Sequence, residues 1–287
     1  MYWQKSLRMP TIADCMPGDR FFTPRTALHV VDTNNIPRES ETNRLRKVQP
    51  AINVVHSACL RLPRPSENDY SIDEQMVPFT GRCTLSQYVP NKLRPLGIKN
   101  FALATTKGLV LDFEFYQGKS TPLPDVGLGL EPSAILRLAQ TLSQGARLYF
   151  DRYFTALSLL HQLLDLGLEG TGTIMKNRVK RVHLTEEKRL KREDMEEFCR
   201  DNDKIVIVQW EYSKAVTFAS TCTGCEPVSN VERWSKPEKK YILVPCPAVV
   251  VIQPVHGRSG PLRSNDGDLQ DFLEDKKVDF KSFDSLT

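Results

Sequence analysis

Alternating apolar and polar positions in the middle of the chain predict a β-hairpin. Residues 99–105 read as one strand, and residues 109–116 alternate with period two, as a half-buried strand does. Lys107 and Gly108 stand between the two runs, and glycine suits the tight turn of a hairpin. The pattern therefore predicts two sequential strands that pair with each other.

Two stripes of apolar residues with helical spacing follow this hairpin. The first begins at Ser133, and the second covers residues 157–166 and is closed by Gly167. Residues 147–150 and 172–175 read as short strands beside the second stripe. The order strand, strand, helix, strand, helix, strand predicts a mixed α/β sheet covered by helices.

The two ends of the chain have a different character from this middle part. Residues 1–70 read as helical and irregular, because prolines interrupt the pattern repeatedly. Residues 204–210 and 215–219 flank a turn and predict a second hairpin, and residues 241–244 and 248–252 predict two further strands. The chain from residue 253 onwards offers few apolar side chains to bury, which predicts a loosely ordered tail.

Composition narrows the class of protein without identifying it. Apolar residues make up 40% and charged residues 26% of the 287 residues, as in ordinary globular proteins. No apolar run approaches the roughly 20 residues that a bilayer-spanning helix needs, and the start lacks the apolar segment of a signal peptide. Seven cysteines, an odd number, favour a reducing compartment.

Positive charge is concentrated in residues 176–192, called here the basic segment, although the net charge is only +4. Its cations are Lys176, Arg178, Lys180, Arg181, Lys188, Arg189, Lys191 and Arg192. Such a stretch is able to follow the phosphate backbone of double-stranded DNA, and its two basic clusters resemble a bipartite nuclear import signal. A charged, solvated helix or loop is the alternative.

The cysteines offer one short metal-like motif. Cys222 and Cys225 form a lone C-x-x-C pair, and no second pair follows at a spacing suited to zinc. Cys246 and His256 complete a set only loosely. The sequence therefore predicts free thiols and no metal site here.

Several segments occur in an order that resembles piggyBac-type DDE transposases. They are residues 71–82, 87–92, 97–99, 151–155, 170–174 and 177–178. The resemblance covers residues 1 to about 252 and implies a ribonuclease-H-like core with a β-rich insertion. It divides the chain into a helical N-terminal region, an incomplete core, a basic linker with the insertion, and a divergent tail. These are residues 1–70, 71–180, 181–252 and 253–287, respectively.

The resemblance also implies where catalytic acids belong. Such a core uses three acidic residues to hold two divalent ions, Mg²⁺ or Mn²⁺. The second acid maps to Asp151, whose neighbour Arg152 departs from the family's Asn. Counting along the hairpin assigns the first position to Thr105, and the third falls near Pro261. Because neither residue has a carboxylate, we expect no strand transfer and no required cofactor.

The expected function is that of a domesticated or decayed transposase-derived protein in the nucleus. It would bind double-stranded DNA weakly and without sequence preference, with no membrane partner, and a homodimer remains open. One alternative is an active metal-dependent transposase with a rearranged site. That site would need Asp112 or Glu114, together with Asp266 or Asp268 of the tail, to reach Asp151. The other alternative is a protein-interaction module on the same fold.

Overall fold

A computed structural model describes most of the chain and divides it into two compact units, residues 1–57 and 58–287. The described residues are 2–3, 8–32, 43–79, 81–90, 95–180, 182–186, 189–199, 204–212, 214–235 and 239–251. Three helices come first along the chain: α1 Pro10–Ala13, α2 Gly18–Ala27 and α3 Gln49–Leu60. Within the described ranges, no helix has both the length and the apolar character needed to cross a bilayer.

The second unit is built on one nine-stranded mixed sheet. Its strands are β1 Asp69–Pro78, β2 Ser86–Tyr88, β3 Leu96–Thr105, β4 Val110–Phe115, β5 Arg147–Phe150, β6 Glu169–Thr173, β7 Met195–Cys199, β8 Val206–Glu211 and β9 Ala215–Ser220. The order across the sheet is β2-β3-β1-β5-β6-β9-β8-β7, and β4 also pairs with β3. The other α-helices are α4 Leu130–Ala139, α5 Leu157–Asp165 and α6 Ala248–Val251, and short 3₁₀ helices cover Gly118–Ser120 and Lys176–Arg178. β10 Ser229–Ser235 and β11 Lys240–Cys246 form a separate pair of strands. This architecture confirms the predicted mixed sheet with flanking helices.

The two faces of the sheet bury different cores, because side chains alternate along each strand. Tyr70 and Ile72 of β1 and Leu148 and Phe150 of β5 pack with apolar residues of α4 and α5, on what we call the helix face. The opposite face contributes to a second core near β8 and β9. Its buried residues include Val208, Trp210, Phe218, Val244 and Val249, so β11 and α6 take part in it.

The first predicted hairpin is present as β3 and β4. The two strands pair antiparallel from Asn100 opposite Phe115 onwards. Gly108 has φ +83°, a left-handed conformation that glycine adopts without strain, which explains the tight turn. The turn is closed by hydrogen bonds that the N–H of Thr105 donates to the Leu109 carbonyl at 2.9 Å and that the Leu109 N–H donates to Thr105 Oγ1 at 3.2 Å.

The structure also contains a central strand that the hydrophobic pattern did not predict. β1 lies between β3, with which it pairs antiparallel, and β5, with which it pairs parallel. Its middle positions, Asp73, Glu74 and Gln75, are polar and only half-buried, so the segment lacks the apolar run of a typical central strand. The position of β1 determines which residues meet at the candidate site.

The predicted strand at residues 248–252 is wrong, because Ala248–Val251 is a short helix. The N–H groups of Ala248 and Val249 donate to the carbonyls of Cys225 and Gly224 at 2.8 and 3.0 Å, which anchors the start of this helix. A short apolar run cannot be assigned to strand or helix by periodicity alone.

The second predicted hairpin, β8 and β9, belongs to the main sheet. β9 pairs antiparallel with β6, Thr171 standing opposite Ser220, and their hydroxyl oxygens are 2.7 Å apart in a buried hydrogen bond. The sequence pattern indicated a block apart from the sheet for this hairpin. Only β10 and β11 form a separate sheet among the described strands.

Candidate functional site

Asp151 directly follows β5 and organises a tight turn of residues 151–155, called here the Asp151 turn. Its carboxylate Oδ1 accepts a hydrogen bond from the Tyr153 N–H at 2.8 Å. Its backbone carbonyl accepts from the Thr155 hydroxyl at 2.8 Å. Helix α5 has Ala156 as its N-cap, so Asp151 serves the turn rather than the helix.

A second carboxylate stands beside Asp151 on the neighbouring strand. The parallel register of β1 and β5 ends with Ile72 opposite Phe150. The residues that follow this last pair are Asp73 and Asp151. Because neighbouring strands lie about 4.8 Å apart, the two backbones are close enough for the carboxylates to share a cation.

The alternation of side chains assigns both carboxylates to the same face. The hydroxyl of Tyr149 lies 3.4 Å from Oδ1 of Asp69, so these two side chains share the face opposite the helices. Asp73 is four residues after Asp69 within β1, which keeps it on that face. Asp151 is two residues after Tyr149 and one residue past the end of β5, so the alternation of β5, carried one residue further, gives the same face. We call Asp73 and Asp151, the two residues that follow the last pair of this register, the acidic pair.

Thr105 lies elsewhere in the sheet, although the sequence assigned it to the first acid position. It pairs with Tyr70, three residues before Asp73, or about 10 Å away along β1. The physical reason is strand direction: β3 runs antiparallel to β1, so its carboxyl end lies at the other end of the sheet from that of β5. The residue that the structure brings to Asp151 is Asp73, which sequence reasoning missed because β1 was not recognised.

The two acids of β4 are engaged on the helix face. Arg137 of α4 contacts Asp112 Oδ2 through Nη1 at 2.6 Å and Glu114 Oε2 through Nε at 3.1 Å. Asp112 is fully buried. It stands opposite Leu103 of the first core, so it faces away from Asp151. Neither acid of β4 is therefore placed beside Asp151, as the rearranged site would need.

The acidic pair has the chemistry, but not the full ligand number, of a divalent metal site. Carboxylate oxygens suit Mg²⁺ and Mn²⁺. Across the parts of the chain that the structure describes, no cluster of three or more His, Cys, Asp or Glu is placed to hold a metal ion. Pro261, the predicted third position, and the tail acids Asp266 and Asp268 lie outside the described residues. The pair alone can supply two anionic ligands and must leave the others to water or phosphate.

Cys225 of the C-x-x-C pair has surroundings that disfavour a thiolate ligand. Burial, with help from the nearby Glu197, raises the pKa of the Cys225 thiol to about 11. Burial also raises the pKa of Cys246 to about 11. Metals bind thiolates rather than thiols. The Cys225 N–H donates to the Glu197 carboxylate at 2.6 Å, so a carboxylate of the protein already lies against the C-x-x-C segment.

The arginines of the basic segment differ in how far they are engaged by the protein. Arg178 is half-buried, and its Nη1 donates to backbone carbonyls of the Asp151 turn. Arg192 donates to the Tyr212 hydroxyl at 2.9 Å and lies 4.6 Å from the centre of that ring. Arg189 is 3.7 Å from Glu186 in an exposed pair, which is worth little in water. Arg181 and Lys188 lie outside the described residues.

The described lysines of the basic segment lie on the solvent-exposed surface. Lys176, Lys180 and Lys191 are all exposed. Lys176 and Arg178 lie in a short 3₁₀ helix that begins three residues after the end of β6, so the segment starts near the carboxyl end of that strand. Exposed ammonium groups reach phosphates more readily than a half-buried guanidinium that already donates to backbone carbonyls.

Known proteins match both the sequence and the fold. Human PiggyBac transposable element-derived protein 3 is 29% identical over 260 residues, which is 88% of this chain and 43% of that protein. Human PiggyBac transposable element-derived protein 2 is 28% identical over 87% of this chain and 43% of its own length. This chain thus spans less than half of these curated relatives.

A solved structure extends the likeness to three dimensions. The cryo-EM structure of a piggyBac transposase synaptic complex with hairpin DNA matches with a TM-score of 0.66 and 22% identity, over 83% of this chain and 49% of that one. That likeness confirms the ribonuclease-H-like fold. A sequence profile described as Transposase IS4 matches residues 1–252. This chain belongs to the piggyBac-type Transposase IS4 family.

Proposed function

We propose that this transposase-derived chain binds double-stranded DNA, holds a divalent cation at the acidic pair, and does not complete strand transfer by itself. The observation that carries the proposal is the position of Asp73 in β1 beside Asp151, which directly follows the parallel strand β5, in a chain whose fold matches that of a transposase. The expectation of no cofactor rested on Thr105 and Pro261. With Asp73 at the site, two anionic ligands are available rather than one.

The chemistry of the pair follows from its charges. A bound Mg²⁺ or Mn²⁺ would supply Lewis acidity toward a phosphate oxygen. Asp73 and Asp151 would hold it, and the Tyr153 N–H would orient the Asp151 carboxylate. Strand transfer by such cores needs a third acid, and the sequence has Pro261 near its expected position. Binding without turnover is therefore the proposed outcome for this chain.

Removing either carboxylate should weaken Mn²⁺ binding by more than about tenfold, since the removal of an outer-shell partner alone typically costs 10–100-fold in metal affinity. The variants are Asp73→Asn and Asp151→Asn, which keep the side-chain shape and remove the charge. Free Mn²⁺ can be followed by electron paramagnetic resonance during titration. Asp125→Asn, at an exposed loop position, should leave the affinity unchanged.

Two results would contradict this part of the proposal. Unchanged Mn²⁺ affinity in both variants would remove the acidic pair as the binding site. Nicking or joining of hairpin-ended DNA in Mn²⁺, abolished by Asp151→Asn, would instead support the alternative of an active enzyme.

The DNA-binding part rests on the exposed cations of the basic segment and on the family likeness. The related transposase was solved with hairpin DNA. Exposed lysines contact phosphates without reading bases, so binding should be non-specific, roughly 10⁻⁴–10⁻⁶ M at physiological salt. Nuclear enrichment through this segment stays a prediction, and cytoplasmic retention of a tagged protein would contradict it.

Replacing Lys180, Arg189 and Lys191 with Ala should lower the affinity for unrelated duplexes by the same factor. The slope of log K against log salt should fall by roughly 0.9 for each phosphate that the variant no longer neutralises, because fewer counterions are released. Fluorescence anisotropy on two duplexes over a range of salt measures both quantities. Lys107→Ala, an exposed cation at the β3–β4 turn, is the matched control and should keep the wild-type slope.

Either of two outcomes would redirect the proposal. A strong preference for one duplex would reveal a base-reading element. An absence of binding at low salt would favour a protein-interaction module on the same fold. Homodimer formation is a separate proposal, which the molar mass in solution would test.

A further inference from the structure

Arg178 lies against the inner side of the Asp151 turn, where three backbone carbonyls converge on one guanidinium nitrogen. Its Nη1 donates to Thr155 O at 2.7 Å and to Tyr153 O at 2.8 Å, and it contacts Arg152 O at 3.2 Å. Since Nη1 has only two hydrogens, the longest contact is shared with one of the shorter ones. One cation therefore holds most of the carbonyls of this turn.

A single peptide group connects Arg178 to the carboxylate of Asp151. The peptide between Arg152 and Tyr153 presents its C=O to Arg178 and donates its N–H to Asp151 Oδ1 at 2.8 Å. Because a peptide is planar, fixing its carbonyl also fixes the direction of its N–H. Arg178 and the Asp151 carboxylate are thus linked through one rigid peptide group.

The neighbouring strand holds the other side of the turn. A Cβ added to Gly172 of β6 would lie 2.4 Å from Thr155 Oγ1 and 2.4 Å from the Phe150 carbonyl oxygen. The turn is therefore packed directly on the glycine backbone and has little room to shift toward β6. With that side fixed, the carbonyl contacts of Arg178 constrain the remaining freedom of the turn.

We propose that Arg178 is a positioning residue that aims the Asp151 carboxylate at the cation shared with Asp73, rather than a phosphate contact of the basic segment. This rests on the proposed function, since it assigns a residue to the same metal site. An arginine suits this task because its planar fork can hold several carbonyls at once, whereas lysine offers a compact point charge.

The test uses the full chain with Arg178→Ala, Arg178→Lys and, as a matched cation two residues later, Lys180→Ala. Hydrogen exchange of a peptide covering residues 151–156 reports on the turn without any metal, and Mn²⁺ titration reports on the site. We expect Arg178→Ala to speed exchange in this peptide and to weaken Mn²⁺ binding by about 10–100-fold. Arg178→Lys should recover part of both effects.

The control should show the opposite pattern. Lys180→Ala should leave exchange and Mn²⁺ affinity at wild-type values and lower the salt slope of DNA binding, whereas Arg178→Lys should keep that slope. If Arg178→Ala unfolds the protein, as faster exchange throughout the strands would show, Arg178→Lys decides by the same two measurements.

The outcomes separate this inference from the proposed function. Wild-type exchange and wild-type Mn²⁺ affinity in a folded Arg178 variant would overturn the positioning role. If the wild-type protein binds no Mn²⁺, the proposed metal site fails. Exchange of the Asp151 turn then decides alone whether Arg178 fixes it, and unchanged exchange would overturn the inference.

Discussion

Replacing Arg137 with Met should destabilise the protein by about 3–5 kcal/mol, the usual cost of removing one partner of a buried ion pair. Arg137 is the cation that contacts both Asp112 and Glu114, and Asp112 is fully buried. Without the guanidinium, a buried carboxylate must either stay charged in an apolar surrounding or take up a proton. Urea unfolding of the variant measures the loss of stability.

The double variant Arg137→Met with Asp112→Asn should recover much of that stability, because it removes the buried charge as well. Arg189→Ala, which removes one partner of an exposed pair, should change the free energy of unfolding by no more than about 1 kcal/mol. If Arg137→Met destabilised the protein by as little as this, the buried Arg137–Asp112 ion pair would contribute no more to stability than the exposed Arg189–Glu186 pair.

Replacing Phe154 with Ala should also cost about 3–5 kcal/mol, as truncation of a large buried aromatic usually does. Phe154 is completely buried, and its ring meets that of Phe101 edge to face at a centroid distance of 6.1 Å. The residue before it, Tyr153, is 48% exposed. Tyr153→Ala should therefore change the unfolding free energy by about 0.5 kcal/mol or less.

This pair of variants tests how the Asp151 turn is anchored. Thermal and urea unfolding of both variants should show a difference of several kcal/mol between adjacent positions. Equal destabilisation at Phe154 and Tyr153 would contradict the assignment of one side chain to the core and the other to solvent.

The hairpin of β3 and β4 could be predicted from sequence because all of its signals are local. Period-two alternation and Gly108 in a left-handed turn need no knowledge of the rest of the chain. β1 gave no such signal, since Asp73, Glu74 and Gln75 interrupt its apolar positions. Its place in the sheet comes from partners that are distant in sequence, β3 and β5.

That one missed strand explains why the sequence assigned the first acid position to Thr105, which lies away from Asp151. The sequence identified Asp151 at a strand end, and the structure agrees. Without β1, the neighbour of Asp151 had to be sought on the hairpin, where Thr105 is at the carboxyl end of β3. Strand direction is a tertiary property, and here it separates Thr105 from the site and brings in Asp73.

The number of charged residues in the basic segment likewise does not predict which of them can bind DNA. The sequence shows eight cations, but it cannot show which of them turn inward. Arg178 donates to the protein's own carbonyls, while Lys180 is exposed two residues later. The conformation of the backbone after β6 decides that Arg178 contacts the Asp151 turn while Lys180 is exposed to solvent.

β7 is an edge strand of the sheet, and this position affects the solubility of truncated fragments of the chain. β7 pairs with β8 along its edge. Val206, Ile207 and Val208 of β8 form an apolar, uncharged run, and such runs favour strand pairing between different molecules. β7 itself carries Glu196 and Glu197 at its centre, and charges on an outer strand oppose intermolecular pairing. A proteolytic or engineered fragment that keeps β8 but lacks β7 would expose that run and be prone to aggregate.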